Sequence, residues 1–392
     1  MPAAYTPGGD CPRQAGRVPG KLPGVLAASP TDVFCDRLRA LVDIDSPSEG
    51  TEQEAVADLI GTWLAPIGCT QQWVHEPDNP ARSLIVTLPG DGGPAIALLG
   101  HPDTVFAAGT TARWSFTRAG DLCTGPGVAD MKGGLVLAAM AVERLAAVPE
   151  RPFSELRLLI CADEEVRLRA PAAAAHARGA AAALVFECGR RNGDLVSARK
   201  GALWRTLHLH GRPAHAGADT ALGRSAVSAL AHEILRIEGL VEGRPDMTSV
   251  VTTVTAGDSA NTVPGEARAT IDIRSGVAAD LEHAHAELER PSPYEGVRAE
   301  VSDRGTWPPM PVAEGLVRMA LDHARDLGLD IGTELSGGVS DGCWTGAGGI
   351  PTLDGLGPVG GDDHTEAEWI EIATFERRLE LVVRLIQSIC AG

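Results

Sequence analysis

Two histidines and several carboxylates stand where apolar runs of this chain give way to polar residues. The run Ala95–Leu99 leads into Gly100-His101-Pro102-Asp103-Thr104, and Leu156–Cys161 leads into Ala162-Asp163-Glu164-Glu165. Ala182–Phe186 ends at Glu187, and Pro351–Leu356 leads through a glycine-rich loop to His364. A fifth cluster, Gly125–Gly134, carries Asp130 on a loop that enters a helical pattern. Carboxylates gathered this closely repel one another, and buried charges need partners. Divalent cations meet that need. Imidazole nitrogen and carboxylate oxygen suit zinc without any thiolate, and two histidines with shared and terminal carboxylates fit a bridged pair of ions. Singly, each residue has a plain alternative reading: a surface histidine, a solvated acidic face, a turn aspartate.

Elements of a particular kind are needed to bring these residues together. Short aliphatic runs (83–88, 95–99, 156–161 and 182–186) alternate with helical patterns such as Gly134–Leu145, as expected of an α/β sheet covered on both faces. In such sheets sites assemble at the carboxyl ends of the strands, so the clusters converge on one crevice. Upstream, Thr31 is an acceptable N-cap for a helix over 32–42, and a second helix is expected over 52–64. The pattern changes near Ala202. A half-exposed strand (204–210), a helix (224–237), two strands (248–256 and 267–273), a helix (280–288) and a strand (297–302) follow. That order is βαββαβ, the ferredoxin-like arrangement. Helix and strand alternate again from about Pro311 to a terminal helix over 373–390. The economical reading is a discontinuous catalytic domain (31–201 and 307–392) carrying an inserted domain (202–306), preceded by a disordered leader over residues 1–30.

Composition narrows the partners. The chain has 392 residues and a formal net charge of −18, which argues against nucleic acid and against anionic membrane surfaces. No apolar run approaches the ~20 residues of a membrane span. The eight cysteines are scattered without a CxxC pair, so a thiolate zinc ribbon is not expected and a reduced, cytoplasmic setting is.

Taken in order, the clusters resemble those of the zinc-dependent peptidase family that includes bacterial glutamate carboxypeptidase, acetylornithine deacetylase, succinyl-diaminopimelate desuccinylase and aminoacylase. The resemblance runs from about residue 32 to the C-terminus. It rests on His101–Val105, Gly125–Gly134, Asp163-Glu164-Glu165 and Gly211–Gly217. Likeness to the glutamate carboxypeptidase branch shows in Gly337–Gly342, in Pro351–Gly357 and in His364 with the terminal helix. It implies a three-layer, mixed-sheet zinc-exopeptidase-like catalytic domain with the inserted ferredoxin-like unit as a lid and dimerisation domain. It implies two Zn2+ ions per subunit, replaceable by Co2+ or Mn2+, and a homodimer.

Residue roles follow from the same resemblance. Asp130 would bridge the ions, with His101 and Glu187 completing one ligand set and Glu165 and His364 the other. Asp103 would orient the His101 ring, and Glu164 would be the general base. His215 would reach the partner subunit's site to bond the developing oxyanion. Asn261 and Arg274 would bind the substrate carboxylate, and Ser340 is expected at the substrate. The chain departs from the family's usual residues at Val166–Ala170, where Arg167 and Arg169 are expected either to alter the pocket or to lie on a helix face, and at Cys188 and Cys343. The reaction expected is release of a C-terminal acidic residue from an N-acyl amino acid or short peptide. The alternatives are an N-acyl amino acid deacylase, a catalytically silent binding homologue and a single-metal or magnesium phosphohydrolase.

Overall fold

The computed structural model describes residues 29–77, 79–292 and 294–392, so the expected leader lies almost wholly outside the described residues. Six strands form the main sheet in the order Thr70–His75, Arg82–Pro89, Glu155–Ile160, Ala95–Gly100, Ala180–Val185 and Thr352–Leu353. The last four run parallel and the first two are antiparallel to their neighbours. The sheet is therefore mixed.

Alternation along each central strand feeds two cores. Ile96 and Leu98 join one cluster with Leu156, Leu158 and Ile160, packed under the helices Pro30–Val42, Glu54–Leu64, Gly133–Ala146 and Phe375–Ala391. Ala97, Leu99, Leu159 and Val185 point the other way, against Ala173 and Ala177 of a short helical turn. Burial on both faces explains why these strands read as unbroken aliphatic runs. The first helix begins two residues earlier than expected. Ser29, not Thr31, is its N-cap, accepting from the Asp32 amide with Pro30 in the first turn; Thr31 donates instead to Glu376 at 2.7 Å.

The second unit is an all-antiparallel sheet in the order Thr248–Ala256, Glu266–Ser275, Gly201–His210 and Arg298–Trp307. Helices Ala226–Glu238 and Ala278–Leu288 cover one face around a separate core built on Leu207, Leu209, Ile271 and Ile273. In chain order these elements read βαββαβ. A two-stranded parallel pair, Leu195–Arg199 with Thr333–Ser336, lies outside both sheets. Among the described residues no helix is long and apolar enough to cross a membrane.

The helix Gly133–Ala146 meets the sheet at its N-terminus, where a β-carbon on Gly134 would lie 1.8 Å from the Phe186 carbonyl oxygen. That contact sets the spacing between the Asp130 loop and the strand that delivers Glu187. Gly134→Ala should therefore destabilise the protein, because overpacking costs typically about 1–3 kcal/mol and outweighs alanine's helix advantage of about 1 kcal/mol. Urea denaturation checks this; an unchanged or raised midpoint would contradict it.

Candidate metal centre and active site

His101, Glu164, Glu165 and Glu187 all follow directly on the carboxyl ends of the three central parallel strands. Asp103, fully buried, ties two of these ends together. Its Oδ1 accepts from the Glu164 amide and its Oδ2 from the Glu165 amide, both at 3.2 Å. Oδ1 also lies 3.2 Å from His101 Nδ1, which approaches the Asp103 carbonyl oxygen at 3.1 Å. A proton held on Nδ1 by these oxygens turns the Nε2 lone pair towards the crevice.

Asp130 sits between the two histidines. Its Oδ1 is 3.1 Å from His101 Nε2 and its Oδ2 is 3.1 Å from His364 Nε2. Glu187 Oε1 lies 3.7 Å from His101 Nε2, and Glu165 Oε2 lies 3.2 Å from His364 Nε2. Two clusters of possible ligands result, His101–Asp130–Glu187 and Asp130–Glu165–His364, sharing Asp130. Glu164 Oε2 is 3.9 Å from His101 Nε2.

The charges in this cluster are unbalanced. Among the described residues Asp130, Glu164, Glu165 and Glu187 form no salt bridge to lysine or arginine. Burial, joined by repulsion from neighbouring carboxylates, pushes the Glu164 and Glu187 carboxyls well above the usual range despite His101. Burial works against the His101 cation, yet Asp103, Asp130 and Glu187 hold its pKa well above the ordinary value. Bonds to Asp130 and Glu165 raise His364 to about 11. Glu165 Oε1 is buried with no hydrogen-bond partner. The surrounding carboxylates thus favour positive charge at both imidazoles, and one carboxylate oxygen is left over to ligate. The residues fit divalent cations.

Asp130 is positioned by a carboxylate that sequence reading missed. Fully buried Glu368 accepts from the Ala129 and Asp130 amides at 2.7 and 2.9 Å through Oε1, and from the Gly127 amide at 3.1 Å through Oε2. Gly127 (φ 73°) allows the loop to turn its amides inward. Lys132, also buried, donates Nζ to the Ile44 carbonyl at 2.9 Å. On the opposite side His364 (φ 63°) and Asp362 (φ 59°) occupy the left-handed backbone region, a strained conformation common at functional sites. Trp369 Nε1 holds it by donating to Asp362 at 3.0 Å.

A cavity of about 710 Å3 opens beside the cluster, lined by Glu164, Glu165, His364, Trp204, Arg274 and Trp307 among others. Arg274 is thus at the cavity, with Nε 3.0 Å from Asp272 and Nη1 donating to the Gly337 carbonyl at 2.8 Å. Ser340 is not. It is fully buried and its hydroxyl donates to Asp354 Oδ2 at 2.6 Å, where Arg199 Nε also ends. Arg167 lies on no helix face; it is buried and paired with both Asp163 and Asp341. Cys188 and Cys343 are buried thiols, and burial raises both. His215 and Asn261 are exposed and do not line the cavity of their own chain. They adjoin each other: His215 pairs with Thr262, and the Ala216 amide donates to the Asn261 carbonyl at 2.9 Å.

Comparison with known proteins places this geometry in context. The sequence profile of peptidase family M20/M25/M40 matches residues 97–388. Carboxypeptidase G2 of a Pseudomonas species is 28% identical over 323 residues, spanning 79% of this chain and 77% of that protein. A succinyl-diaminopimelate desuccinylase of Halorhodospira halophila is 25% identical over 389 residues, spanning 93% and 95%. The fold is like that of a tripeptidase from Staphylococcus aureus, with a TM-score of 0.75 at 21% identity, covering 92% of this chain and 99% of that one.

The Glu368 clamp yields a prediction. Removing a group that orients a ligand typically costs about 10–100-fold in metal affinity. Glu368→Ala should weaken zinc binding by that order in a chelator competition, while Glu366→Ala, a change at an exposed partner of Arg113, should leave it unaltered. Equal affinity in the two variants would remove Glu368 from this role.

Proposed function

The chain belongs to peptidase family M20/M25/M40 and is a metal-dependent hydrolase of amide bonds; from that premise we propose a two-zinc, glutamate-carboxypeptidase-like enzyme that releases a C-terminal acidic amino acid from an N-acyl or short peptidyl substrate. The observation that carries this reading is Asp130, whose two oxygens each face a different histidine at 3.1 Å, with Glu164 alongside and not engaged as a ligand in either cluster. When bound, the cations would polarise the scissile carbonyl and acidify the attacking water.

Glu164 is suited to moving the proton. It borders the cavity, and its backbone is fixed by Asp103. Its carboxyl, raised by burial, can accept a proton from water and return it to the departing nitrogen. Arg274 borders the same cavity and would present its planar fork to a substrate carboxylate. Glutamate carboxypeptidase-like and deacylase-like enzymes share this chemistry and differ in which side of the amide is held. Arg274 at the cavity favours recognition of a carboxylate-bearing product.

His215 enters through a second subunit in this reading. The Gly217 and Ala218 amides donate to its Nδ1 at 3.1 and 3.0 Å. That places the ring proton on Nε2, an outward donor of the kind an oxyanion requires. Thr248–Ala256 is an edge strand with exposed Val250 and Val254, a template on which a second copy could pair.

Two experiments test the proposal. Glu164→Gln should retain zinc yet lose about 10²–10⁴-fold in kcat on N-acyl glutamate, the range for general acid–base catalysis; a loss below tenfold would exclude it as the base. Glu164→Gln and His215→Ala should each be nearly inactive as pure proteins. Mixed and allowed to exchange subunits, they should regain activity. No regain despite demonstrated exchange would exclude His215 acting across the dimer.

A further inference from the structure

Five arginines line the cavity beside the metal cluster: Arg167, Arg190, Arg199, Arg274 and Arg304. Four are already matched by an acid of the chain. Arg167 pairs with Asp163 and Asp341, Arg190 with Glu334, Arg199 with Asp354 and Arg274 with Asp272. Arg304 is exposed and has no ion pair or hydrogen bond among the described residues.

Its position comes from a local break in the sheet. The pairing of Arg298–Trp307 with Gly201–His210 shifts register between Asp303 and Thr306, so Arg304 and Gly305 fall outside the ladder. Bulges of this kind re-aim a side chain. Gly305 has φ 130°, and a β-carbon there would lie 3.1 Å from the Trp204 ring and 3.5 Å from Leu168. The bulge is also pinned. Arg205 donates to Asp303 Oδ1 at 2.8 Å, to the Gly305 carbonyl at 3.0 Å and to Thr306 Oγ1 at 3.1 Å, while the Gly305 amide donates to Asp303 Oδ1 at 2.8 Å. Asp303, the acid adjacent to Arg304 in sequence, is thereby committed to Arg205. Arg304 is thus an exposed guanidinium held on a pinned bulge beside a cavity whose other guanidinium groups are neutralised.

We propose that Arg304 is a specificity-determining residue that receives the acidic side chain of the substrate's departing amino acid, while Arg274 takes its α-carboxylate. This rests on the amidohydrolase reading above and narrows it to substrates whose departing residue is dianionic. An unpaired guanidinium binds a carboxylate without first displacing an internal acid. A neutral isostere of the side chain forfeits the charge-assisted bond.

The test compares N-acyl glutamate with N-acyl glutamine, which match in shape and differ in side-chain charge. The zinc-loaded full chain should prefer glutamate in kcat/KM. Arg304→Gln should lower glutamate turnover by about 10–100-fold, the usual worth of a hydrogen bond to a charged group, and leave glutamine within about twofold, so that the preference collapses. Arg304→Lys should keep part of it and Arg304→Glu should invert it. An unchanged glutamate-to-glutamine ratio in Arg304→Gln overturns the inference. If the wild-type chain turns over neither substrate, the amidohydrolase reading fails instead. The Arg304 assignment is then decided by calorimetry, where glutarate should bind more tightly than its monoamide to wild type and equally to Arg304→Gln; a preference that persists in the variant overturns it.

Discussion

Mutual repulsion among Asp130, Glu164, Glu165 and Glu187 is the constraint around which the rest of the structure is organised. Like charges brought this close would move apart if the backbone allowed it. The backbone does not. Three parallel strands, each buried on both faces, fix where His101, the Glu164–Glu165 pair and Glu187 begin. Asp103 then joins two of those ends by accepting both glutamate amides. Asp130 arrives from a loop that no strand holds, and Glu368 supplies the restraint by accepting three of its amides. The same rigidity that holds these like charges together makes the cluster ready for cations.

Much of this was legible in the sequence because the chemistry is local there. The Glu164–Glu165 pair stands close to the aliphatic run that carries it, and period-two burial on both faces is written as an unbroken apolar stretch. The βαββαβ order was legible for the same reason. What escaped depends on contacts distant in sequence. Glu366 and Glu368 are the same residue type two positions apart; only folding exposes the first to Arg113 and buries the second under the Asp130 loop. Ser340 lies in a glycine-rich run that reads as a substrate loop, yet Asp354 takes its hydroxyl inward. The first helix begins at Pro30, capped by Ser29, because proline is tolerated in a first turn.

The cavity divides by charge in a way that residue types alone do not reveal. Counting arginines suggests a strongly basic wall. Pairing them removes most of that charge, since Arg167, Arg190, Arg199 and Arg274 each meet an internal acid. Buried pairs such as Arg199–Asp354 contribute little net stability over an apolar substitute, but they are costly to break. They therefore act as rigid wall, whereas an unmatched guanidinium keeps its field for a ligand. Arg274 is intermediate: Asp272 occupies one edge of its fork, and its face rests over the Trp204 ring at 5.6 Å.

His215 extends this reasoning to the assembly. A catalytic donor pointing out of its own subunit would be wasted unless something fixes its tautomer and something else arrives to use it. The Gly217 and Ala218 amides do the first by occupying Nδ1. The exposed edge strand Thr248–Ala256 offers a means for the second. Asn261 shares the corner with His215 and is likewise absent from the cavity of its own chain. In the proposed reading each active site would combine a metal cluster in one protomer with an oxyanion donor from its partner, and neither half would suffice for full turnover.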